Sequence, residues 1–80
     1  MAEDEGIESA VLRQLLDLYP TRLTLAELVR ELGGDRGEFA ERDAVERAVR
    51  DLSAVGLLHR GTELIEPTRA ALRFSDLLDR

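Results

Sequence analysis

Between Ala44 and Phe74, four structural signals follow one another without spare residues, and that order constrains the fold more than any other feature of the chain. Val45, Ala48, Val49 and Leu52 recur at three- and four-residue steps, which places them on one face of a helix. Gly56 ends that helix. With Gly56 as the first residue past the cap, Leu57 falls where it can touch Leu52, the apolar contact of a Schellman ending. Leu57-Leu58-His59-Arg60 and Glu63-Leu64-Ile65-Glu66 flank Gly61-Thr62 and read as a hairpin with a two-residue tip. Pro67 and Thr68 then open a last helix, with Ala70, Ala71, Phe74, Leu77 and Leu78 as its buried stripe and Leu72 on the opposite, polar side.

Upstream, the same rules predict two more helices. Ile7, Val11, Leu15 and Leu18 are spaced as a helix from about Gly6 to Tyr19, with Pro20 as its stop. Leu12, Leu16 and Tyr19 widen the apolar arc to nearly half the circumference, so this helix needs two neighbours, one of which can be a second subunit. A helix from Thr24 has the clearest start signal. Thr24 caps it, Glu27 completes a capping box, and Leu23 can pack on Leu28 as a staple. Thr21-Arg22-Leu23 is long enough for a short strand before it. Gly33 and Gly34 stop the helix, and a loose turn runs from Gly33 to Gly37. Phe39 projects about 120° from Val45 on a helical wheel, so it belongs to a separate turn and the next helix starts near Ala40.

Eighty residues suffice for one domain, and one this small hides only about 60% of its unfolded surface, so every apolar position must serve a shared core. We read residues 1–5 as an acidic tail and 6–80 as the domain. Cysteine is absent, which removes disulfides and thiolate chemistry and suits a reducing cytoplasm. Ala54 to Leu58 is the longest apolar run, too short for a membrane span, and Glu3-Asp4-Glu5 is unlike a signal peptide. All eleven basic residues are arginine, as in proteins of GC-rich bacteria. The net charge of −6 argues against a sequence-independent hold on phosphate if evenly spread. It is not evenly spread. Residues 9–80 carry 11 arginines against 13 acids, a net of −2.

The string from Ala44 to Phe74, AVERAVRDLSAVGLLHRGTELIEPTRAALRF, resembles small winged helix-turn-helix transcription regulators of bacteria, including the small winged-helix proteins of actinobacteria. In that family a "GLL" step closes the recognition helix, a strand pair forms the wing, and a Pro-Thr pair starts the next helix. The resemblance spans Ile7 to Leu78. It implies a mostly α fold of three to four helices with a two- or three-stranded antiparallel wing sheet. It also implies DNA as partner, with residues 40–55 in the major groove and the wing on the adjacent backbone. Arg42, Asp43, Glu46, Arg47 and Arg50 would then face the groove, and His59 or Arg60 would sit on the wing. Two departures stand out: the wing tip is short, with no basic residue beyond Arg60, and the recognition face carries both signs.

Arg47 and Arg50 are the leading readers, because a guanidinium takes a guanine edge or a phosphate from one helix face. Asp43 and Glu46 precede them by four residues, the spacing of helix-surface ion pairs worth about 0.2 to 0.5 kcal/mol each. Arg36, Arg42, Arg60 and Arg69 can frame the surface as backbone contacts. His59, the single histidine, has no second histidine or cysteine with which to hold a metal. Ser9, Ser53 and Ser75 have no placed base, and Gly33-Gly34 with Gly37 follows a helix rather than a strand, so neither an enzyme nor a nucleotide cofactor is expected. A homodimer through the first and last helices is expected, with Leu12, Leu16 and Leu72 as its contacts. The rival function is a protein-interaction module of the same fold, whose mixed surface docks a protein partner.

Overall fold

The computed structural model describes the backbone of residues 2–33 and 42–79, with side-chain surroundings from Gly6 onward. Among these residues the order is α1 (Ala2–Leu18), β1 (Leu23–Thr24), α2 (Leu25–Gly33), α3 (Arg42–Ala54), β2 (Leu58–Arg60), β3 (Leu64–Pro67) and α4 (Arg69–Leu78). The chain is mostly helical, with a three-stranded antiparallel sheet in the order β1-β3-β2. The turn at Gly34 to Gly37, Arg36, Phe39 and the helix start at Ala40 all lie outside the described residues.

Helix α1 begins at Ala2, four residues before the expected Gly6, since nothing in Ala2–Glu5 breaks a helix. It stops at Leu18, ahead of Pro20. Val11 and Leu15 are fully buried, and Ile7, Leu12 and Leu18 pack against the core from its edge. Tyr19, expected in the stripe, is 47% exposed, because it already lies in the turn beyond the helix.

The capping box forms as expected. Glu27 N donates to Thr24 Oγ1 at 3.1 Å, and Thr24 N donates to Glu27 Oε1 at 2.8 Å. These bonds draw the Glu27 carboxyl below its usual range, first through the Thr24 backbone N–H and then through the Thr24 hydroxyl. The strand before α2 lies at Leu23–Thr24 rather than Thr21–Leu23, with Leu23 opposite Ile65 on β3. Leu23, Leu25 and Leu28 enter the same core as Val11 and Leu15. Gly33 is the last residue of α2.

Helix α3 ends as its sequence implies. Gly56 has φ +86°, Leu57 N donates to Leu52 O at 2.9 Å, and Gly56 N donates to Ser53 O at 3.1 Å, the bond pair of a Schellman motif. The hairpin register differs from the expected one. Arg60 stands opposite Ile65 and Leu58 opposite Pro67, and Gly61 N donates to Leu64 O at 2.9 Å, so the tip is Thr62-Glu63 rather than Gly61-Thr62. This is a slip of two residues, which keeps every side chain on its expected face, so alternation alone could not decide it.

Pro67, expected at the start of the last helix, is instead the buried end of β3. Strand β1 reaches only as far as Ile65, so the N–H that proline lacks is not needed there. Thr68 is the N-cap of α4, accepting from Ala71 N at 3.2 Å and donating to Gly56 O at 2.7 Å. The last helix departs most from expectation. Ala71 alone of the expected stripe is buried, while Ala70 is exposed and Phe74, Leu77 and Leu78 are 61%, 50% and 70% exposed. Leu72, expected on the polar side, is half-buried. The helix follows directly on β3, is tied to the α3 ending through Thr68, and packs on α1 and β3.

Candidate nucleic-acid interface

Helix α3 is anchored from beneath and charged above. Ala44, Val45, Ala48, Val49 and Leu52 are buried, with Val45 and Val49 at 0% exposure, and they pack against α1, α2 and β2. The 3.6-residue period therefore turns Arg42, Asp43, Glu46, Arg47 and Arg50 to solvent. Beyond the Schellman turn the chain doubles back, and Leu58, 3% exposed, pins β2 to the core.

That return brings Arg60 beside α3. Asp43, Glu46, Arg47, Arg50 and Arg60 line one shallow hollow of about 310 Å³. Three guanidinium groups and two carboxylates give it a local charge of +1 on a chain whose total is −6. Neither expected pair, Asp43 with Arg47 or Glu46 with Arg50, closes to ion-pair distance. Arg50 Nε instead lies 3.8 Å from Asp51 Oδ1, with both side chains more than half exposed. Such a contact is worth at most a few tenths of a kcal/mol after solvent screening, so it does not hold the guanidinium back from a ligand.

Other expected contacts fall outside the hollow. Arg42 is exposed at the first turn of α3, and Arg69 at the first turn of α4. His59 points to the solvent side of the sheet, opposite Glu66, while Arg22 meets that Glu66 at 3.5 Å and ties β1 to β3. Arg36 lies outside the described residues. Ser53 Oγ is buried without a hydrogen-bond partner, and Ser9 and Ser75 line a groove between α1 and α4. Among the described residues, no group of three or more histidine or acidic side chains is arranged to hold a metal ion. No helix among them is long and apolar enough to cross a membrane.

Helices α1 and α4, expected from the sequence to share a dimer surface, enclose a groove between them. Its walls include Leu12 and Leu16, which the sequence singled out, together with Phe74 and Leu78, which it assigned to the interior. Leu72 is not among its lining residues. Comparison with protein-family models, with characterised proteins and with solved structures finds no match to this chain. The functional reading therefore rests on the geometry of its own side chains.

Proposed function

We propose that the chain is a winged-helix DNA-binding module of the transcription-regulator type, with α3 in the major groove and the β2–β3 hairpin along the neighbouring backbone. One observation carries the reading: Arg47 and Arg50 from a helix and Arg60 from a strand converge on one solvent-facing hollow although the chain is acidic overall. Arg47 and Arg50 are the base-edge or phosphate contacts, and Arg60 and Arg42 hold the backbone. Asp43 and Glu46 restrict what binds. A carboxylate repels phosphate but accepts from the cytosine amino group, so a face of mixed sign favours base edges over an indiscriminate grip on the backbone.

The second reading, a protein-interaction module, draws on those same two acids and on the net charge of −6. Binding of a duplex selected from a random-sequence library separates the two. Replacing both Arg47 and Arg50 by alanine is expected to abolish binding of the selected duplex and leave the fold intact, since both side chains lie opposite the buried stripe. A double variant that binds as tightly as the parent removes α3 as the reader. A parent that selects no duplex at low salt gives the function to a protein partner.

A further inference from the structure

Every exposed polar side chain on α3 is an arginine, an aspartate or a glutamate. Each base edge in the major groove asks for its own partner: guanine presents two acceptors, cytosine an amino donor, adenine an acceptor beside a donor, and thymine an acceptor beside a methyl group. The adenine edge calls for the amide of asparagine or glutamine. The chain contains no asparagine, and its single glutamine, Gln14, stands on α1, where its amide donates to Glu31 Oε2 at 3.5 Å. The thymine methyl calls for an apolar neighbour. Asp43, Glu46, Arg47, Arg50 and Arg60 line the hollow, and the exposed apolar residue of α3, Ala54, lies outside it at the last position of the helix.

We propose that this face selects G·C pairs, with Arg47 and Arg50 on the N7 and O6 acceptors of two neighbouring guanines and Asp43 and Glu46 accepting from cytosine amino groups, an assignment that rests on the DNA-binding reading above and adds the base composition of the site. The spacing suits it. Arg47 and Arg50 stand three residues apart, about 4.5 Å along a helix rising about 1.5 Å per residue, against about 3.4 Å between stacked pairs. A helix lying along the groove therefore brings them to neighbouring steps. Asp43 and Glu46 repeat the same offset, each four residues before an arginine, so donors and acceptors run as two parallel tracks. All four side chains are available: among the described residues no ion pair engages Asp43, Glu46 or Arg47, and Arg50 has only its exposed contact with Asp51.

Mismatch on an A·T pair does the selecting. On adenine the guanidinium fork sets one of its N–H groups against the N6 amino donor, and a carboxylate that accepts from N6 sets its second oxygen against the N7 lone pair. On thymine the fork finds one acceptor instead of two. A wrong base at an arginine position is therefore expected to weaken binding about 5- to 150-fold.

Selection of duplexes from a random-sequence library by the full chain is expected to enrich adjacent G·C pairs. Replacing the guanines of the selected duplex by 7-deazaguanine removes N7 and leaves base pairing and phosphates intact, and the parent is expected to lose about 5-fold or more in affinity. Arg47→Gln is expected to move the preference at one position from guanine to adenine, and Arg50→Gln to do so at its neighbour. A parent that enriches A·T pairs, binds selected and random duplexes alike, or is indifferent to 7-deazaguanine overturns the G·C assignment and leaves DNA binding standing. A parent that binds no duplex even at low salt removes the DNA-binding reading, and this assignment with it. The modified duplex is read by the parent protein, so it decides even if a variant loses its fold.

Discussion

On α3 every apolar side chain from Ala44 to Leu52 lies in the core and the outward face is charged, whereas on α4 only Ala71 is buried and the stripe carries on into solvent at Phe74 and Leu78. Both helices have the periodicity of a half-buried helix. What separates them is what surrounds them: α3 sits among α1, α2 and β2, while α4 meets chiefly α1 and β3 and leaves Phe74, Leu77 and Leu78 exposed. Amphipathicity in a sequence therefore says that a face will be covered, not by which molecule. Where the fold covers it, the opposite face becomes a rigid platform for Arg47 and Arg50. Where the fold does not, the uncovered face itself is the surface available to a partner.

The largest effect that can break this contrast comes from truncating one apolar side chain on each helix. Leu52→Ala, 5% exposed on α3, is expected to cost about 2–5 kcal/mol of unfolding free energy, and Phe74→Ala on α4 less than about 1 kcal/mol, both by urea denaturation at low micromolar concentration. Similar losses at the two sites would mean that α4 is packed as deeply as α3. Next comes the turn that joins the anchored helix to the sheet. Gly56→Val is expected to cost about 2 kcal/mol, although nothing lies within 4 Å of the added Cβ, because an L side chain is strained at φ +86°. A thermal midpoint equal to the parent's would show that the left-handed residue is not required.

Smaller effects sharpen the comparison at the two caps. Thr68 Oγ1 both caps α4 and donates to Gly56 O, whereas Thr24 Oγ1 caps α2 alone. Thr68→Ala should therefore cost more than Thr24→Ala, about 1.5 against about 1 kcal/mol. Equal costs would show that the strut from α4 back to the end of α3 adds nothing. The smallest effect is a pH dependence. The folded-state pKa of Glu27 is lowered by its bonds to Thr24, so its contribution is fully present above the ordinary glutamate range. It fades as pH falls through the lower folded value. Glu27→Gln keeps an acceptor for Thr24 N, and the variant's melting temperature should fall less steeply than the parent's between about pH 5 and pH 3. Parallel slopes would contradict the assignment.

What could be read from the sequence divides along the range of the interaction. The capping box at Thr24 and Glu27, the Schellman ending at Gly56 and the buried stripe of α3 follow from residues three to six apart, and each is found as read. The hairpin register was not legible, because registers two residues apart keep the same faces and the choice depends on Pro67 reaching Leu58. The pairing of Arg50 with Asp51 rather than Glu46 turns on a few tenths of a kcal/mol, below what spacing can decide. The meeting of Arg60 with Arg47 and Arg50 needed the fold, since thirteen positions of chain separate Arg60 from Arg47. The fate of Phe74 and Leu78 needed it too, for the periodicity of α4 is the same whether the covering surface is its own core or another chain.

The proposed binding of DNA by a few arginines on α3 and β2, against an acidic body, is tested most directly by the salt dependence of duplex binding. Each phosphate contact contributes about −0.9 to the slope of log affinity against log salt concentration, so this surface should give a slope of about −2 to −4 per monomer, with weak binding to random duplex at physiological salt. Arg60→Ala should make that slope shallower by about one. A slope near zero in the parent, or no binding at low salt, would contradict the account.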